Sequence, residues 1–184
     1  MTRSIRPGRR LPYFFLDVDG VVNAFAYEPS VLGFGDFECH EVAVDDGPGT
    51  PTRYFEVWLS RTMGARISML HADIRWLTTW QGHADIEIAP RCGLPRGLPV
   101  VESEGKGRTG LDWKFEAVRR TVETDLRPFV WVDDDLDLFV QAGVTPQPWA
   151  DSLKVKSLLI GPDPRTGLMP GDLETIEVFI ADVS

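Results

Sequence analysis

The sequence predicts an α/β protein with a central parallel sheet, helices on both faces and one β-hairpin excursion. Three observations predict it. Short apolar runs of strand length (LPYFFLDV at 11–18, IRWL at 74–77, FVWV at 129–132 and KSLLIG at 156–161) alternate with amphipathic segments of helical length. Runs that are apolar at nearly every position belong to strands buried on both faces. Strands alternating with helices form crossover units, which make the strands parallel. Between the first two runs, FECHEVAV and RYFEVWLS flank the turn-rich DDGPGTPT, which reads as a hairpin.

The remaining elements follow in chain order. Residues Arg61 to Ala72 (RTMGARISMLHA) set Met63, Ile67 and Leu70 on one side of a helix. After IRWL, the segment TTWQGHADIEIAPRCG reads as a helix start and then a loop. LPVVES reads as a further strand, and EGKGRTG as a Gly-rich loop that lacks P-loop spacing. DWKFEAVRRTVETDL is amphipathic, with Trp113, Ala117, Val118 and Val122 as its buried side. LDLFVQAG reads as a helix closed by Gly143, and LETIEVFIADV as the closing helix.

Composition narrows the class. A chain of 184 residues, 43% hydrophobic with six Trp and ten Phe, has the make-up of one domain with a proper core. We expect a flexible basic arm over residues 1–10 and a single domain over 11–184, with the hairpin inserted at about 28–60. No apolar run approaches the roughly 18 residues of a membrane helix. The basic start leads only into LPYFFL before Asp17, too short for a secretory segment, so a cytoplasmic protein is expected. Cys39 and Cys92 lack zinc spacing and read as buried thiols. The net charge is −9, and the first ten residues hold four arginines and no acid, so the rest is more acidic still. Such a body repels bare polyanions, and no strong duplex nucleic-acid binding is expected.

In parallel sheets ligands bind beyond the carboxyl ends of the strands. Those ends carry Asp17-Val18-Asp19-Gly20, Thr78-Thr79, Asp133-Asp134-Asp135 and Gly161-Pro162-Asp163-Pro164. Like charges gathered at one edge are costly unless a cation or a shared proton compensates them. A hard divalent ion, Mg2+ above all, matches oxygen donors of this kind.

In YFFLDVDGVVN, IRWLTTW, GLDWKFEAV and WVDDDL the chain resembles the haloacid dehalogenase (HAD) superfamily of aspartate-nucleophile phosphatases, whose motifs it matches in order over almost its whole length. Together with the late GPDPRTGL, these motifs are similar to a small-cap branch found as the HAD domain of RNA-repair proteins. The resemblance implies a three-layer Rossmann-like fold whose hairpin is a small flap after the first strand. It implies Asp17 as nucleophile, Asp19 as general acid and base, and Thr78 and Lys114 as holders of the phosphoryl oxygens. It further implies Mg2+ held by Asp17, by Asp19 through its backbone carbonyl, and by Asp133 or Asp134. Thr79 is the alternative to Thr78, and Lys106 the alternative to Lys114. Aspartate at position 19 favours phosphoryl transfer over dehalogenation, because a carbon centre needs no acid there.

The expected activity is therefore a Mg2+-dependent phosphomonoesterase forming an aspartyl-phosphate. With room only for a hairpin as cover, the open site suits a large substrate, the end of a polymer, or a partner that supplies the missing cover. The expected partner is a phosphorylated substrate, small or a polymer end, with a nucleotide or nucleic-acid end phosphate favoured over a small sugar phosphate. The alternative is a non-catalytic HAD-like binding or regulatory module. Trp80 is the aromatic to consider for stacking on a base or sugar, and Tyr54, Phe55 and Trp58 for touching substrate from the flap. His83 reads as a surface or partly buried side chain, with a place at the mouth of the site as the alternative, Asn23 as a residue orienting the active-site loop, and Asp163 as a turn former. The sequence sets no oligomeric state.

Overall fold

The computed structural model describes residues 10–25, 32–102 and 112–184. Four strands, β1 (Tyr13–Leu16), β4 (Asp73–Trp76), β5 (Phe129–Val132) and β6 (Ser157–Ile160), form a parallel sheet in the order β4-β1-β5-β6. Between β1 and β4 in the chain lie β2 (Phe37–Val44) and β3 (Arg53–Ser60), paired antiparallel in a separate two-stranded sheet, and then α1 (Arg61–Ser68). A π-helical turn (Ala84–Ile88), α2 (Ala89–Cys92) and α3 (Asp112–Asp125) lead from β4 to β5. Helices α4 (Leu136–Gln141) and α5 (Pro146–Ser152) precede β6, and α6 (Pro170–Val183) closes the chain.

Side-chain alternation along the strands builds a core on each face. Phe14, Leu16, Trp76, Val130 and Val132 face one way and pack with Met63 and Ile67 of α1, Cys92 of α2, and Leu173, Ile176 and Ile180 of α6. Tyr13, Phe15, Phe129 and Trp131 face the other way, against Trp113, Val118 and Val122 of α3 and Phe139 of α4. Each large apolar side chain so buried contributes roughly 1.5–3 kcal/mol. The arrangement is a parallel α/β sheet flanked by helices, compatible with a Rossmann-like fold. The hairpin joins the first of these cores through Val42, Val44, Val57 and Leu59, buried on its inner side.

Asp36 fastens the base of the hairpin. Its carboxylate accepts from the Ser60 hydroxyl and from the Thr62 amide at 2.8 Å. Ser60 in turn caps α1, accepting from the Met63 amide at 3.0 Å, the role for which a small hydroxyl residue is suited.

Several expectations change. LPVVES forms only an isolated bridge between Trp76 and Val100, because Pro99 has no N–H to extend the ladder. The helix expected to reach Ala72 ends at Ser68, and the chain turns through a bond from the Leu70 amide to the Ile67 carbonyl on its way into β4. The stretch expected as a helix start and loop is helical through Cys92, and Gly93 at φ 82° ends it. Helix α5 has no counterpart among the predicted elements; its prolines 146 and 148 disguise it, yet both lie in the first turn, where no intrahelical donor is lost. Cys39 is exposed rather than buried, since it lies on an outward position of β2, whereas Cys92 is buried. Of the predicted arm only Arg10 is described, and Lys106 and the EGKGRTG loop lie outside the described residues. No helix among the described residues is long and apolar enough to cross a membrane.

Candidate active site

Strand register creates the site. Leu16 is level with both Trp76 and Val132, and Val132 with Ile160. The residues that follow therefore leave the sheet together at one edge. The ladder continues one step further: the Asp17 amide donates to the Val132 carbonyl, the Asp133 amide to Ile160 and the Leu77 amide to Leu16.

Beyond Asp17 the chain turns sharply. The Val18 carbonyl accepts from the amides of Val21, Val22 and Asn23. Gly20 sits at φ 67°, and a Cβ on it would come 2.3 Å from the Asp134 carboxylate. Glycine is therefore required twice, by a left-handed backbone and by the approach of a side chain from the next strand. The loop after β6 supports this turn, with the Leu168 amide on the Val21 carbonyl and the Phe25 amide on Pro164. Asp163 holds that supporting loop by accepting from the Arg165 amide and guanidinium. It is a turn former, as expected.

At the centre, Lys114 from α3 reaches over the strand ends. Its Nζ lies 2.5 Å from Asp17 Oδ2 and 3.0 Å from Asp133 Oδ2. All three residues are buried. The Val18 amide donates to Asp17 Oδ1 at 2.7 Å, and the Thr78 side chain, also buried, favours the charged form of the Asp17 carboxyl. Asp133 accepts from the Trp131 indole and the Asp135 amide. Thr78 is buried, whereas Thr79 is exposed.

Asp17, Asp133 and Asp134 each offer an oxygen, and these oxygens lie within 4.8 Å of one another. One ammonium stands against three carboxylates. Burial, reinforced by the charge of Asp17, raises the Asp133 carboxyl to about 8 despite Lys114. Burial and the charges of Asp135 and Asp17 raise Asp134 to about 7. Burial raises Asp17 as well, against the opposing pull of Lys114. Burial would lower the Lys114 ammonium, but the charges of Asp17 and Asp133 outweigh it and hold the proton more firmly than usual. The site is thus short of positive charge, and its all-oxygen donor set fits a hard divalent cation.

The Asp19 carboxylate has partners of its own. Its Oδ1 accepts from the Asn23 side-chain amide at 2.8 Å and its Oδ2 from the Trp80 indole N–H at 2.8 Å. Asn23 also accepts from the Trp58 amide on β3, which ties the hairpin to this loop. The Asp19 carboxylate thus stands outside the three-carboxylate group. Two features escaped the sequence: the Trp80 indole as a donor to Asp19, and Arg53 and Gln81 beside it in a cavity. Trp80 directly after a strand end was the available signal, but nothing in the sequence says which way its N–H points.

No family model, curated protein or solved structure matches the chain. The fold and the site define a parallel α/β protein with a buried, lysine-bridged acidic centre at the carboxyl edge of its sheet.

Proposed function

We propose that the protein is a Mg2+-dependent phosphomonoester hydrolase that uses Asp17 as nucleophile, in the manner of the HAD superfamily it resembles. The observation that carries this reading is the convergence of Asp17, Asp133 and Asp134 around Lys114 at one sheet edge. Two buried carboxylates and a half-buried third around one ammonium do little to stabilise a fold, because the desolvation of the charges offsets their attraction to the lysine.

In the first step an Asp17 oxygen attacks phosphorus, the bond from phosphorus to the leaving oxygen breaks, and Asp19 gives that oxygen a proton. In the second, Asp19 takes a proton from water. The water oxygen attacks phosphorus, and the aspartyl-phosphate opens to inorganic phosphate and free Asp17. Thr78 and Lys114 hold the phosphoryl oxygens, where charge resides during transfer. Mg2+ held by Asp17, Asp133 and Asp134, with the Asp19 backbone carbonyl, would neutralise the phosphate and align it. The β2–β3 hairpin serves as a flap, and the Asn23 link from Trp58 to Asp19 supports that part of the reading.

The test is release of phosphate from p-nitrophenyl phosphate by the purified protein with Mg2+. Asp17→Asn is expected to reduce it by about 10^4-fold or more, as loss of a covalent nucleophile does. If the wild-type protein cleaves no phosphomonoester, including oligonucleotides with 3′ or 5′ phosphate, the binding-module reading replaces this one.

A further inference from the structure

A cavity of about 250 Å3 opens beside Asp19, between the hairpin and the loop after β4. Phe55 and Trp80 form an aromatic wall, with ring centroids 5.2 Å apart and planes at 56°. The Arg53 guanidinium lies 5.4 Å from the Phe55 ring centroid. Asp46 holds Arg53 at 2.7 Å and meets His83 Nε2 at 3.3 Å. Gln81 and Thr79 complete the polar lining.

The position of the cavity says which part of a substrate it meets. Asp19, the proton donor to the leaving oxygen in the proposed reaction, lines it. The group attached to that oxygen therefore lies in this cavity. Its lining says what that group is. Arg53 and Asp46 largely cancel, so little charge remains to hold a second phosphate or a carboxylate. An aromatic wall bordered by hydrogen-bonding side chains suits a flat heterocycle with polar edges, because every base offers a π-face for stacking. Small-molecule sites run from about 300 Å3 upward, so this cavity accepts one ring system with its sugar at the mouth and not a run of nucleotides.

We propose that this cavity receives the base of a nucleoside monophosphate, whose nucleoside is the leaving group of the reaction. The proposal rests on the phosphomonoesterase reading for the place of the phosphate, and on the cavity alone for the base.

The test combines turnover with binding, using the whole chain and Mg2+. Hydrolysis of adenosine and uridine 5′-monophosphates is compared with that of glycerol phosphate in wild type, Phe55→Ala and Arg53→Ala. Binding of free adenosine and uridine is followed by saturation-transfer NMR. Wild type is expected to favour a nucleotide by tenfold or more in kcat/KM. Phe55→Ala should lower that ratio about tenfold, mostly through KM, and weaken nucleoside binding in parallel. Arg53→Ala, on an exposed side chain, should shift both in the same direction and guards against a folding defect in Phe55→Ala. A ratio unchanged in both variants overturns the proposal, as does a wild type without preference. If no phosphate ester is cleaved, nucleoside binding lost in Phe55→Ala upholds the cavity while the phosphatase reading falls. Absence of nucleoside binding to wild type removes the cavity proposal by itself.

Discussion

Replacing Gly20 by alanine tests whether the turn after β1 and the acidic centre are one structure. The left-handed φ of 67° costs an L-residue about 1–2 kcal/mol. The added Cβ would also lie 2.3 Å from the Asp134 Cγ and 2.8 Å from its Cβ. Ordinary contact needs roughly 1 Å more, and forcing an extra carbon into a packed site typically costs about 1–3 kcal/mol. We expect a loss of about 3 kcal/mol, which for a chain of this length is a fall in Tm of about 6–12 °C. The clash falls on a proposed metal ligand, so the rise in Tm produced by Mg2+ should shrink as well. Adding Asp134→Gly relieves the contact and leaves only the backbone cost, so the double variant should be less destabilised than the sum of the two single ones. Thermal unfolding with and without Mg2+ on the four proteins reads both effects. A Tm within 2 °C of wild type (a threshold set at about half the backbone cost alone), or an undiminished response to Mg2+, would refute the reasoning.

Three further outcomes are expected. Lys114→Met leaves Asp17 and Asp133 buried without their cation, which should cost about 3–5 kcal/mol in denaturant unfolding at neutral pH; the deficit should narrow on acidification, and one that widens contradicts the ion-pair geometry. Asp134 at about 7 and Asp133 at about 8 bind protons more tightly in the folded chain than their ordinary value of 3.8, so without divalent ions their contribution to stability falls as pH rises from about 4 to 8 and then levels off. Mg2+ should offset the fall, stabilising more at pH 8.5 than at pH 5; wild type compared with Asp134→Asn isolates the effect, and equal pH profiles would count against it. Trp80→Phe keeps a ring but removes the donor to Asp19, so kcat on an alkyl phosphate should drop about tenfold or more, the value of a hydrogen bond to a charged group. In kcat/KM, which ends at the aspartyl-phosphate, p-nitrophenyl phosphate, whose leaving group needs no proton, should lose far less than the alkyl ester, and equal losses there would show that the bond does not serve proton transfer to the leaving group.

Strand identity was legible because the physics behind it is local. FFL and FVWV are apolar at successive positions and are buried on both faces in the two central strands, whereas SLLI, equally legible as a strand, is half-buried because β6 lies at the sheet edge. The hairpin was equally legible, since FECHEVAV and RYFEVWLS flank a segment with the conformations a turn requires. Helix α5 was not, because two prolines in seven residues argue against a helix unless both fall in its first turn. The extra strand at LPVVES failed for a related reason: Pro99 leaves room for a single bridge and no ladder.

For the site, the sequence by itself determined which acids stand at strand ends, since DVDG and DDD directly follow buried runs. It also implied, through resemblance, a lysine near the start of a later helix. Only the tertiary structure decided that Leu16, Trp76, Val132 and Ile160 end level, bringing residues far apart in the chain to one edge. It likewise decided that Lys114 spans Asp17 and Asp133, and that Trp80 and Asn23 hold Asp19. The physical reason is range. Burial patterns are written in neighbouring residues, whereas strand register and the direction of a side chain are set by partners that meet only when the sheet closes.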